Sequence, residues 1–150
     1  MGLQLNNTET NVLGKLAELE FEKECLKRNL SIAKPVIDNQ VGWDYIVDFG
    51  DGFKKVQVKK IGRNTNNRNQ EYKTIQLNGR RSYKKKDGSW EYTRWKYEEG
   101  SYDFLVGVDL ELNEMFLFPY DILKDLNRTQ TPIEGQKYKA KLDWSLYKWK

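Results

Sequence analysis

The sequence predicts an α+β fold in which a mixed central sheet is flanked by helices, formed as one domain over residues 1–150. Three observations carry this expectation. Residues 9–29 place apolar side chains at helical spacing, and residues 43–60 read as two strands folded about Gly50-Asp51-Gly52. A chain of 150 residues that is 38% hydrophobic has the apolar material for one core and little more.

The elements follow in order. In the first helix Leu13, Leu16, Ala17, Phe21 and Cys25 form the expected buried stripe, Thr8 or Thr10 the cap and Asn29 the stop. Residues 31–37 read as a short strand, and Pro35, which has no N–H to donate, puts it at an edge. Residues 43–49 form a strand, Gly50-Asp51-Gly52 a tight turn and residues 53–60 its partner. In that partner Phe53, Val56 and Val58 are apolar, while Gln57 and Lys59 lie on the alternate face. The Asn- and Arg-rich stretch from Gly62 to Gln70 reads as a loop and 72–78 as a strand. A hairpin with arms 79–85 and 89–96 turns at Lys86-Asp87-Gly88. Strands 102–109 and 114–118 flank residues 110–113, and Pro119 opens a short helix to about Leu126. The basic, Trp-rich tail from 127 to 150 has no clear assignment, and its Trp144, Tyr147 and Trp149 suit either a subunit interface or the chain's own core.

Composition excludes much chemistry. With no histidine, a Ser-His-Asp or Cys-His nucleophile and a histidine zinc site are ruled out. One cysteine, Cys25, allows neither an internal disulfide nor a cysteine zinc site and suggests a reducing compartment. No apolar run reaches the ~20 residues that span a bilayer, and residues 1–10 lack the order of a signal peptide. A soluble, cytoplasmic protein with no membrane partner is expected. Carboxylates, lysine, hydroxyls and a hard, oxygen-bound metal remain.

Charge is unevenly placed. Net charge is +4, but Lys54 to Lys96 contains fourteen Lys or Arg against three acidic residues, so it carries +11 and the remainder −7. A basic block of that size attracts phosphates. Its hairpin suits the DNA major groove, which admits a two-stranded ribbon. Arg80, Arg81 and Arg94 are the candidates for base readout, and Lys84, Lys85, Lys86 and Lys96 for the backbone. Arg63 and Arg68, among Asn64, Asn66 and Asn67, are candidates for further contacts. The competing reading of each is a solvated surface charge.

The candidate chemistry lies at Asp44, Gln57 and Lys59. The turn at 50–52 brings their strands side by side, and the two-residue period puts Gln57 and Lys59 on one face. Phosphodiester hydrolysis uses such a group. A carboxylate and a second oxygen ligand hold Mg²⁺, for which Mn²⁺ can substitute, and the Val58 carbonyl is a further candidate ligand. A nearby lysine orients the attacking water or stabilises charge on phosphorus. On spacing alone the trio also fits the solvent face of an ordinary strand.

The order of these elements resembles the PD-(D/E)XK nuclease superfamily. Gly14-Lys15-Leu16-Ala17-Glu18 is similar to its helical glutamate motif, Trp43 to Asp48 to its aspartate strand and Val56-Gln57-Val58-Lys59 to a variant of its third motif. Residues 102–106 and 115–119 resemble the strands that follow in the homing endonucleases of group I introns, so the likeness covers about residues 10–126. The resemblance implies a restriction-endonuclease-like core and a metal held by Asp44, Gln57 and one helix glutamate. It favours Glu18, because of the Gly-x-x-Ala-Glu spacing, over Glu20, Glu22 and Glu24. It also implies a homo-oligomer, a tetramer, acting on a long, nearly palindromic double-stranded DNA site. One active site per chain already requires at least a dimer to cut both strands. Gln57 stands where the usual motif has an acid, which leaves the site one negative charge short. A catalytically silent DNA-binding protein and a structure-specific resolvase are the alternatives.

Overall fold

The computed structural model describes residues 7–36, 42–133 and 142–150. Helix α1 (Asn7–Lys27) is followed by strands β1 (Ser31–Ala33), β2 (Tyr45–Asp48) and β3 (Phe53–Lys60). Then come β4 (Gly62–Thr65), β5 (Glu71–Gln76), β6 (Gly79–Lys84) and β7 (Trp90–Trp95). The chain continues through β8 (Phe104–Asp109), β9 (Glu114–Pro119), α2 (Tyr120–Leu123) and β10 (Arg128–Pro132), and a 3-10 turn spans Trp144–Tyr147.

The central sheet has the order β1-β2-β3-β8-β9. Its pairs are antiparallel except β3 with β8, which runs parallel, so the sheet is mixed. Parallel neighbours need a crossover, and here it is residues 61–103. That crossover holds β4 and β5, which join β10 in a second sheet of order β10-β5-β4, and the β6–β7 hairpin.

Two apolar clusters cover the two faces of the central sheet. On one, Ala17, Phe21 and Cys25 of α1 pack against Tyr45, Val47, Val56, Val58, Val106 and Val108. On the other, Ile61, Ile75, Leu105, Phe116, Phe118 and Trp144 form the core. Burial on both faces explains why β8 reads Phe-Leu-Val-Gly-Val with no polar alternation. Gly107 lets the second sheet come close: a Cβ there would lie 2.9 Å from Ile75 Cδ1 and 3.2 Å from Ile61 Cδ1. Small-to-large changes at so tight a contact force the layers apart.

Several expectations need correcting. Helix α1 starts at Asn7, so Thr8 and Thr10 fall within it rather than capping it. Leu13 is half-buried and Leu16 is 44% exposed, so the buried stripe is narrower than expected. Leu16 lies with Val12 and Leu19 on the side away from the sheet, giving α1 apolar residues on both sides. Gly62–Thr65 is strand β4 rather than loop, because β5 supplies an antiparallel partner. The turn after it is closed by Asn66, whose Oδ1 accepts from the Arg68 N–H at 2.9 Å and the Gln70 N–H at 3.0 Å. Asn69 takes the left-handed conformation there, with φ 57°. Strand β1 stops at Ala33, two residues short of Pro35, and α2 ends at Leu123. The tail packs on its own chain: Trp144 is edge-on to Phe116 and Phe118, each at 5.3 Å, and Trp149 lies 5.9 Å from Phe21. Among the described residues no helix is long and apolar enough to cross a membrane.

Candidate active site

The site begins where β2 ends. Tyr45 is the first residue of β2 and pairs with Val56. One residue earlier the Asp44 N–H still donates to the Val56 carbonyl at 2.8 Å. Strand β2 supplies no partner for the next inward-pointing N–H of β3, that of Val58. The Asp44 carboxylate does so instead, Oδ2 accepting at 2.8 Å. The aspartate thus caps a strand edge, and that bond orients it. Strand geometry sends the Val58 carbonyl to the same side as its N–H.

Gln57 and Lys59 leave β3 on the face opposite Val56 and Val58. Both line an open cleft of about 680 Å³ with Asp44, Gly14, Lys15 and Glu18. The sequence-predicted residues Glu18, Asp44, Gln57, Val58 and Lys59 therefore converge. Among the described helix glutamates, Glu18 is the one lining the cleft. Glu22 is held by Lys34 at 2.8 Å and the Tyr45 hydroxyl at 3.1 Å, Glu24 by Arg28 at 3.0 Å and Glu20 by Lys23 at 3.9 Å.

Electrostatics in the cleft are strained in one sense. Burial, and then the neighbouring Asp44 charge, push the Glu18 carboxyl up to about 7, although Lys15 and Lys34 pull it down. Burial also raises Asp44, against the Val58 N–H and the Lys59 charge. The two carboxyls stand close enough that the charge on Asp44 disfavours ionisation of Glu18, so a bare pair resists carrying two charges. Burial lowers Lys59, and Asp44 opposes that.

This donor set fits a divalent cation. Two carboxylates that resist ionising together, an inward amide on Gln57 and a backbone carbonyl are hard oxygen donors for an ion that keeps several waters. Among the described residues no group of three acidic, Cys or His side chains exists that would hold a metal without such neutral donors.

Tyr97 stands beside the cleft lysine, although the sequence does not single it out. The Lys59 ammonium lies 5.4 Å from its ring centroid. Thirty-eight residues separate the two in the chain, and no local pattern marks the tyrosine as different from its aromatic neighbours.

The expected DNA contacts divide. Arg80 pairs with Arg94 across the β6–β7 ladder, and Arg81 with Thr93; the side chains of these three arginines lie outside the described residues. Lys84, Lys85 and Lys86 surround the hairpin turn and are exposed, as are Lys96 and Arg68. Arg63 departs from expectation. Its guanidinium donates to the fully buried Asp109 at 2.7 Å and pairs with Glu111 at 3.3 Å, so it ties β4 to β8 rather than standing free for a phosphate. Lys73 of β5 reaches the same Asp109 oxygen at 3.2 Å.

The profile of a family described as PD-(D/E)XK endonuclease matches residues 8–142. The chain is also similar in structure to a bacterial homing endonuclease, I-Ssp6803I. The TM-score is 0.67 at 22% identity, over 93% of this chain and 88% of that one. At that identity the likeness shows the fold. Among curated proteins no sequence matches.

Proposed function

The chain belongs to the PD-(D/E)XK endonuclease family, and from that premise we propose that it is a sequence-specific endonuclease of the homing type that cuts both strands of DNA. The observation that carries the proposal is the convergence of Asp44, Glu18, Gln57 and Lys59 in one open cleft. Asp44, Glu18, Gln57 and the Val58 carbonyl would hold Mg²⁺, or Mn²⁺ in its place. When bound, the ion would lower the pKa of a water and draw charge from the phosphate. Lys59 donates from Nζ to a phosphate oxygen or to the attacking water, and its partial burial strengthens that interaction. The β6–β7 hairpin, with Arg80, Arg81, Arg94, Lys84, Lys85 and Lys86, binds the duplex together with Arg68 and Lys96. A long, near-palindromic site read by a homo-oligomer, a dimer at least and a tetramer by analogy, brings one cleft to each strand.

The direct test is incubation with Mg²⁺ and a plasmid library carrying intron-insertion sequences. Discrete double-strand cuts are expected. Binding without cleavage in Mg²⁺ or Mn²⁺ would favour a silent DNA-binding protein. Cutting of four-way junctions irrespective of sequence would favour a resolvase.

The metal can be tested without cleavage. With Glu18 raised to about 7, a divalent ion must displace a proton to engage both carboxylates. Calorimetric affinity for Ca²⁺ should therefore rise between roughly pH 6 and pH 8, with proton release at the lower end. In Glu18→Gln the affinity should fall and its pH dependence flatten. An unchanged pH dependence in that variant would remove Glu18 from the ligand set.

A further inference from the structure

Lys59 carries a compact charge on a flexible four-carbon stem. Among the described residues its ammonium has no carboxylate within ion-pair distance and lies over the face of Tyr97 at 5.4 Å. That ring cannot swing freely. Tyr97 is 8% exposed and stands edge-on to Tyr102 at 5.5 Å, which stands edge-on to Tyr120 at 5.3 Å. The Tyr97 carbonyl also accepts from the Tyr120 hydroxyl at 3.3 Å. On its other side Tyr97 meets Trp95 at 6.4 Å, again edge-on.

Trp95 is the last residue of β7 and the cross-strand partner of Gly79, the first of β6. Its ring lies directly over Gly79, where any Cβ would overlap it. Trp95 therefore spans both strands at the base of the hairpin. An aromatic chain runs from that base, through Trp95 and Tyr97, to the lysine ammonium.

We propose that Tyr97 is a positioning residue for Lys59, and that the Trp95–Tyr97 pair ties the setting of that lysine to the base of the β6–β7 hairpin. The proposal rests on the nuclease reading in one respect, that Lys59 acts on phosphate. A cation over an aromatic face is attracted by the ring's negative quadrupole. The attraction holds the ammonium without consuming any of its three donors, which stay available to a substrate. A salt bridge would hold it more firmly but would occupy those donors. Because the hairpin and the lysine share one rigid aromatic chain, displacement of the hairpin base is transmitted to the ring beneath Lys59.

The experiment replaces Tyr97 by phenylalanine and by phenylalanines bearing increasing numbers of fluorines. Their shape is almost unchanged, while the quadrupole weakens and then reverses. Tyr97→Phe should retain kcat within about threefold, and kcat should fall stepwise with fluorination to about tenfold or below, at unchanged DNA Kd and Tm. Trp95→Leu should lower kcat in the same way per folded molecule. A readout without cleavage uses the Lys59 ε-methylene proton resonances. They should be shifted upfield by the ring in the native protein and in Tyr97→Phe, and return to ordinary values in Tyr97→Leu. If the resonances behave so but the native protein cuts no DNA, the nuclease reading fails and the lysine–tyrosine pairing stands. Resonances unmoved by Tyr97→Leu, or a kcat flat across the fluorine series in an active enzyme, would overturn the positioning role.

Discussion

Asp44→Asn is expected to abolish DNA cleavage, by at least ~10³-fold in kcat, while the protein keeps its DNA affinity and its Tm. The choice of asparagine matters. Its carbonyl oxygen can still accept the Val58 N–H that Asp44 Oδ2 accepts at 2.8 Å, so the corner between β2 and β3 stays closed. What is lost is the charge that Glu18 and Lys59 both sense. Burial already disfavours the ionised Asp44, so removing that charge relieves the metal-free fold. Tm should hold or rise. Asp44→Ala loses the charge and the cap together and should be inactive and less stable. Lys59→Ala should also lose cleavage, since Lys59 is the lysine that leaves β3 on the same face as Gln57. Supercoiled-plasmid cleavage, gel-shift affinity and thermal melting separate the three outcomes. Near-normal cutting by Asp44→Asn would place the chemistry elsewhere.

Asp109→Ala should be the most destabilising single change away from the cleft, by about 3–5 kcal/mol in urea unfolding. The Asp109 carboxylate is fully buried and receives Arg63 at 2.7 Å, Lys73 at 3.2 Å and the N–H groups of Glu111 and Leu112 at 3.1 and 3.2 Å. Alanine would leave two cations in the interior with Glu111 and Glu114 as remaining partners. Burial works against its ionisation, but Arg63, the Leu112 N–H and Lys73 outweigh it and hold Asp109 below its ordinary value. The sign follows from linkage. The folded state binds this proton less readily than the unfolded state, so the stabilisation is present above the ordinary aspartate pKa and is lost as pH falls through the depressed folded value. The native protein should therefore weaken toward acid, and Asp109→Asn should show a shallower acid limb. Equal slopes would assign that limb to other carboxylates.

Much of the half that forms the cleft is legible in the sequence because it is local. The helix, the turn between β2 and β3 and the Gln-x-Lys alternation all lie within 53 residues, from Asn7 to Lys59. Their periodicities point to the same faces that the sheet and α1 then use. The distant half was harder. Arg63 and Asp109 meet across 46 residues, and neither residue type nor spacing distinguishes a paired arginine from a free one. β4 has poor strand formers and exists because β5 offers it a ladder, an example of tertiary pairing overriding propensity. The β10 segment and Trp144 carry no local signal for the same reason, since their partners lie on elements far along the chain. Leu16 adjoins Ala17, which is wholly buried, yet the turn of about 100° between neighbouring residues leaves it 44% exposed, so the apolar stripe in the sequence is wider than the buried face.

The parallel pairing of β3 and β8 makes the whole of residues 61–103 a detour between two adjacent strands. Both ends are stitched to the central sheet, Ile61 N–H to the Val108 carbonyl and Asp103 N–H to the Lys55 carbonyl, each at 2.9 Å. Those two points lie at opposite ends of the β3–β8 pair, so the detour crosses the length of the sheet before it rejoins, and Ile61, Ile75 and Tyr97 pack as it does so. It is not a free appendage. β10 returns from beyond β9 to pair with β5 and works as a clasp. A grafted version of this segment must therefore keep three things at once: its two anchor points, the Ile61 and Ile75 side chains that pack on the sheet, and the face of β5 that β10 closes upon.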